Sequence, residues 1–154
     1  MLRSFFVFLL LIQALFIGAQ PPGHEQALEP VKWSISTVHM KDGTWDVNFR
    51  ADIEHGWYVY SQQNFGDLGP IPTTIAFDTL SHVIPSGTPQ ESGGTIIQGI
   101  DPNFDLEVKK FKGFALFKQQ VVITDPTQPI TGRLDYQTCD DSKCIFPDPL
   151  FFRI

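Results

Sequence analysis

The sequence predicts an all-β chain folded as a sandwich, and three observations carry that reading. Where apolar residues are patterned, they recur at every second position, as in Trp45, Val47, Phe49, Ala51 and Ile53, the period of a half-buried strand. Twelve Gly and twelve Pro punctuate the 154 residues at short intervals, and both disfavour helix interiors. Past the first 19 residues, no window of 12 or more shows the apolar stripe of an amphipathic helix. Many short strands with frequent turn signals bury their apolar faces by packing sheet on sheet.

The first segment reads as an address. In residues 1–19, Arg3 precedes an apolar run from Phe5 to Ile17 broken only by Gln13, and Gly18 and Ala19 are small. That run of 13 is short of the ~20 residues that span a bilayer. The pattern is that of a cleaved secretory signal, with an uncleaved anchor as the other reading. The absence of Cys near the cleavage point argues against a lipoprotein. Removing residues 1–19 takes away one basic residue and no acidic one, leaving 135 residues with ten Lys+Arg against 17 Asp+Glu. The remainder has no second long apolar stretch and is expected to be soluble, in an oxidising compartment where disulfides persist.

Residues 20–30 are polar and Pro-rich and read as a flexible leader, and one domain is expected over 31–154. Val31, Trp33 and Ile35 alternate with Lys32, Ser34 and Ser36 as a first strand. Lys41-Asp42-Gly43 turns the chain into the second, Trp45 to Ile53. Further strands are expected at 57–61, 73–77, 81–84, 95–98, 111–117, 119–124, 130–136 and 150–154, separated by Gly, Pro, Asn or Asp. Residues 86–106, rich in Gly, Pro and acid, read as a long connection at one end of the sandwich, a place where function often sits.

Composition excludes several functions. A formal net charge of −6 with no basic run argues against nucleic-acid binding. Zinc lacks ligands: His24, His39, His55 and His82 are spaced neither with each other nor with the two cysteines. Asp101, Asn103 and Asp105 open like a calcium loop, but Leu106 stands where Gly is needed and Lys112 where Glu is needed. No hydrolase, P-loop or dinucleotide motif occurs, and no cofactor is expected.

Cys139 and Cys144 remain, in TCDDSKCIFP. A four-residue loop brings two cysteines within disulfide reach if the chain turns back. Closing so small a loop stabilises a fold by only about 2 kcal/mol, against ~4.7 for a 100-residue loop. Spacing alone leaves open an inert structural disulfide and a redox pair. Asp140 and Asp141 disfavour a thiolate at Cys139, while Lys143 favours one at Cys144. The aromatic run Gly56-Trp57-Tyr58-Val59-Tyr60-Ser61 reads either as core or as phenols beside the cysteines.

Four stretches, GWYVYSQ, GPIPTTIAFD, DPNFDLEVKKF and LDYQTCDDSKCIFP, resemble the N-terminal periplasmic domain family of the thiol:disulfide interchange protein DsbD, in its Bacteroidetes-type form. The resemblance runs from about Val31 to the C-terminus. It implies an immunoglobulin-like fold, a periplasmic location and relay of electrons from a membrane donor to thioredoxin-fold proteins, as a carrier or a protein-disulfide reductase component acting as a monomer. Carried over by position, Cys139 and Cys144 are the redox pair, and Cys144 forms the mixed disulfide with partners. Tyr58 and Tyr60 match the aromatic pair near the active site. Phe104 matches the tip of the cap loop that shields the cysteines, with Asp101 and Asn103 on its flank. The better-known proteobacterial members use C-x5-C where this chain has C-x4-C. The sequence ends at Ile154 without the family's membrane and C-terminal domains, so the expectation is either a donor that is a separate protein or a stand-alone copy with another role. The alternative is a secreted immunoglobulin-like binding or structural module with an inert disulfide.

Overall fold

The computed structural model describes residues 28–78 and 82–154. The expected signal and most of the expected leader lie outside the described residues, as does Ser81 of the strand expected at 81–84. The described chain forms ten strands and no α-helix. They are β1 (Val31–His39), β2 (Trp45–Ile53), β3 (Tyr58–Tyr60), β4 (Thr74–Phe77), β5 (Val83–Asp101), β6 (Leu106–Ile123), β7 (Thr131–Asp135), β8 (Thr138–Cys139), β9 (Cys144–Ile145) and β10 (Leu150–Arg153).

Two antiparallel sheets result. The larger runs β1-β2-β6-β3-β8-β9, with β5 on the other edge of β6; the smaller runs β10-β7-β4. The turn between β1 and β2 forms as its sequence requires. Gly43 takes φ +87°, and Asp42 Oδ1 accepts from Thr44 N at 3.0 Å and Thr44 Oγ1 at 2.6 Å. β2 and β3 lie end to end along one edge of β6, with Ala51 opposite Ala115 and Val59 opposite Phe111. A turn interrupts them, in which Trp57 N donates to Glu54 O at 3.1 Å and Gly56 takes φ +89°, a conformation that costs Gly little.

Alternation decides which side chains enter the sandwich. Val47, Phe49, Ala51 and Ile53 of β2 are buried, together with Val59, Phe111, Ala115, Phe117, Leu134 and Phe152. Phe49 meets Phe152 and Phe77 edge-on, with centroids 5.1 and 6.2 Å away, which ties the two sheets together. Trp33 packs on Tyr136 at 5.2 Å and on Phe117 at 5.8 Å.

The chain departs from expectation over 86–106. That stretch is not a long connection: it is strand to Asp101, and only residues 102–105 turn. The two strands expected at 111–117 and 119–124 are one continuous β6. β5 escapes the alternation rule because it is an edge strand, mostly exposed on both faces and held by its main-chain ladder to β6. Register shifts at Ser86/Gln90 and Gly93/Thr95 bend it.

Gly132, at the centre of the smaller sheet, has no room for a side chain. A Cβ there would stand 2.5 Å from Phe152 Cζ and press on the Ala76 carbonyl. Gly132→Ala is therefore expected to destabilise the fold by about 1–3 kcal/mol through overpacking. Urea unfolding should show a lower midpoint at unchanged slope.

Candidate functional site

β3 is three residues long and buried on both faces. Val59 points into the sandwich core. Its neighbours Tyr58 and Tyr60 point the other way, where they form a second buried cluster with Val108 and Cys139. Phe65, Phe104 and Cys144 pack against this cluster, partly buried. The sequence-predicted residues Tyr58, Tyr60, Phe104, Cys139 and Cys144 therefore converge at one place, on the outer face of the larger sheet.

The cysteines are joined. Cys139 ends β8, Cys144 begins β9, and they stand directly opposite each other, with S–S 2.06 Å and Cα–Cα 4.1 Å. The hairpin between them is closed by Asp140 N donating to Lys143 O at 3.0 Å. Asp140 Oδ1 accepts from Ser142 N at 2.7 Å and from Lys143 N at 2.8 Å. These bonds, the Ser142 backbone first, hold the Asp140 carboxyl below its usual value. Lys143, which the sequence suggested would favour a thiolate at Cys144, has its ammonium 5.6 Å from the Trp57 ring centroid. Exposure separates the sulfurs more clearly than charge does. Cys139 is fully buried, whereas Cys144 is half-buried.

The phenols bind this hairpin to the β5–β6 tip. Tyr58 stands opposite Cys139 across the β3–β8 ladder. Its hydroxyl donates to Asp140 O at 2.9 Å and accepts from Asn103 Nδ2 at 2.9 Å. The Tyr60 hydroxyl donates to Asp101 Oδ2 at 3.2 Å. Burial, reinforced by the Asp101 carboxylate, pushes the Tyr58 phenol above its ordinary value, and burial pushes Tyr60 up strongly. Both are neutral hydrogen-bonding groups at physiological pH.

The tip itself is a tight turn. Asp105 N donates to Asp101 O at 2.8 Å, and Asp105 takes φ +53°, a conformation Asp tolerates better than most residues. Asn103 N donates to Asp101 Oδ1 at 2.9 Å. This geometry lays the Phe104 ring edge-on to Tyr60, with centroids 5.9 Å apart. Tyr60 also meets Tyr58 at 5.5 Å and Phe65 at 6.2 Å.

A family model described as "Thiol:disulfide interchange protein DsbD, N-terminal" matches residues 25–154. The chain belongs to this family. Among solved structures, it resembles the Neisseria meningitidis DsbD N-terminal domain in the reduced form, with TM-score 0.53 and 20% identity over 79% of this chain and 83% of that one. The shared fold is the immunoglobulin-like β-sandwich. A search of curated proteins finds no match. Membership of the DsbD N-terminal family, with a bonded cysteine pair in the second cluster, supports thiol–disulfide exchange as the general activity.

Three participants escaped the sequence reading. Lys110 is buried, with its ammonium 2.6 Å from Asp101 Oδ2 and 3.6 Å from the Tyr58 ring centroid. Gln137 is buried beside Cys139, with Nε2 3.3 Å from Sγ. Glu91 accepts from Ser61 Oγ at 2.6 Å, Gln62 N at 3.0 Å and Lys109 Nζ at 2.9 Å, fixing the chain where it leaves β3. The available signal for Lys110 was its place on β6, on the same face as Val108 and Lys112, near an acidic turn. Among the described residues no three His, Cys, Asp or Glu side chains group as metal ligands.

Lys110→Ala leaves the fully buried Asp101 carboxylate without its cation, and should cost about 3–5 kcal/mol in denaturant unfolding. Glu91 supplies a pH dependence. Burial raises its carboxyl, but the bonds from Ser61, Lys109 and Gln62 outweigh burial and hold it below the ordinary value of a glutamate. Its contribution is therefore present above that value and lost as pH falls through the lower folded one. In acid titrations of stability, Glu91→Gln should be less stable than the parent at neutral pH, and the gap should narrow below the unfolded value.

Proposed function

We propose that the chain is a periplasmic dithiol/disulfide carrier working through Cys139 and Cys144. The observation that carries this reading is the unequal burial of a bonded pair, Cys139 enclosed and Cys144 half-buried. Exchange proceeds by attack of a thiolate on an accessible sulfur. In this reading a donor thiolate attacks Cys144 Sγ. The donor–Cys144 bond forms, the Cys139–Cys144 bond breaks, and Cys139 leaves as thiolate. A second donor thiol then attacks its own sulfur in the mixed disulfide. The donor becomes oxidised, and Cys144 is released as thiolate. The reduced pair delivers the two electrons by the reverse sequence to an oxidised acceptor.

Phe104, over Tyr60 at the rim of the cluster, shields the pair until a partner displaces it. Tyr58 and Tyr60 hold the cysteine hairpin and the tip in register through Asp140, Asn103 and Asp101. Family membership points to thioredoxin-fold proteins as partners, to a membrane protein as donor and to the periplasm as location. The sequence pattern of residues 1–19 agrees with export.

The test is partner trapping. Cys139→Ser keeps Cys144 as a free thiol with no internal sulfur to resolve a mixed disulfide. In periplasmic extract it should accumulate a covalent adduct with a thioredoxin-fold protein, released by reductant. Cys144→Ser should accumulate much less, because Cys139 is enclosed. Absence of any such adduct, or a reduction potential below about −300 mV as in inert structural disulfides, would overturn the reading.

A further inference from the structure

We propose that Gln137 is a catalytic hydrogen-bond donor to Cys139, stabilising the thiolate that leaves when Cys144 is attacked. The inference rests on the exchange reading above and adds the group that makes the enclosed sulfur a competent leaving group. Gln137 lies two residues before Cys139 and has its carboxamide against that sulfur, Nε2 to Sγ 3.3 Å. Gln137 is 1% exposed and Cys139 is fully buried.

The orientation of the carboxamide follows from its other end. Oε1 accepts from the Ile71 backbone N–H at 2.7 Å. A backbone N–H only donates, so the oxygen must face Ile71 and the amino group must face sulfur. Ile71 lies between Tyr60 and β4, in a segment anchored where Thr73 Oγ1 donates to Tyr60 O at 2.6 Å. The donor is therefore set by the fold before any reaction begins.

The chemistry gives this donor a purpose. A thiolate at a fully buried position is disfavoured by desolvation, which slows any step that expels it. A disulfide sulfur is a weak acceptor and a thiolate a strong one, so the same N–H gains strength as the S–S bond breaks. Among the described residues no other side chain donates a hydrogen bond to Cys139 Sγ. Asp140, the adjacent acid, spends Oδ1 on its own turn. A carboxamide does not titrate, so the donor persists at every pH at which the fold does.

The test uses the oxidised chain and dithiothreitol, with no partner protein. Gln137→Met keeps the volume and removes the donor. Gln137→Glu, with its carboxylate ionised, keeps the acceptor for Ile71 N–H and also removes the donor. Both should slow disulfide opening about tenfold or more, the scale of one charge-assisted hydrogen bond. In the Cys144→Ser background both should raise the Cys139 thiol by about one pKa unit, followed by thiolate absorbance. With Gln137 intact, the side-chain amide resonance of Gln137 should shift as Cys139 ionises, a readout that needs no substitution at 137. Opening rates within about twofold of the parent, against the tenfold expected of the bond, or an amide resonance indifferent to Cys139 ionisation, would overturn the proposal. Failure of partner trapping with these effects present would remove the exchange reading and leave the donor role standing.

Discussion

Everything in the site depends on a three-residue strand that is buried on both faces. β3 pairs with β6 on one side and β8 on the other, so its main chain is held by ladders on both edges. Its alternation then divides the molecule. Val59 closes the sandwich core, and Tyr58 and Tyr60 found a second apolar cluster outside it. A sheet face that would ordinarily meet water is covered there by the β5–β6 tip and the segment after β3, through Phe104 and Phe65. The cysteines inherit their placement from this arrangement, because β8 is held to β3 with Cys139 opposite Tyr58.

Burying a second cluster brings charge in with it. Asp101 has no exposed side-chain surface, and Lys110 has little. Such a pair gains little over apolar packing, but losing one partner is costly. Its physical effect is to fix the tip: Asp101 receives Lys110 and Tyr60 on one oxygen and Asn103 N on the other. The tip that carries Phe104 is thus anchored at its base by buried polar bonds. The ring itself rests on apolar contact alone. In the proposed exchange that division matters, since a partner can displace the ring without dismantling the ion pair beneath it.

How much of this was legible depended on whether burial and alternation coincided. β2 reads directly from its sequence because one face is core and the other water. Tyr58, Tyr60 and Phe104 were legible through family motifs. β5 was legible only in pieces, at 81–84 and 95–98, because an edge strand exposed on both faces needs no apolar alternation, and its Gly and Pro residues imitate a loop. Lys110 and Gln137 were hidden for a related reason. A Lys on a strand and a Gln between Tyr136 and Thr138 carry no signal of burial in their own residue type. The burial of Gln137 is decided by a partner distant in sequence, Ile71, and that of Lys110 by Asp101 across the β5–β6 hairpin, whose register the sequence did not fix. No local pattern encodes the pairing of Gln137 with Ile71. β8 and β9, two residues each, are too short for any period to show.

The small disulfide loop is the last piece of the logic. A bond that closes so few residues removes less entropy from the unfolded chain than a long-range one, about 2 kcal/mol against ~4.7 for a 100-residue loop. The ladder from β6 through β3 to β8 and the buried cluster hold Cys139 through contacts other than the S–S bond. Cys144 is held differently, by a two-residue strand at the end of the sheet, paired on one side only. Opening the bond therefore releases the outer cysteine more than the inner one. In the proposed exchange, a pair that changes redox state without unfolding its domain needs this asymmetry: one sulfur anchored by contacts besides the bond, the other at an edge where a partner can reach it.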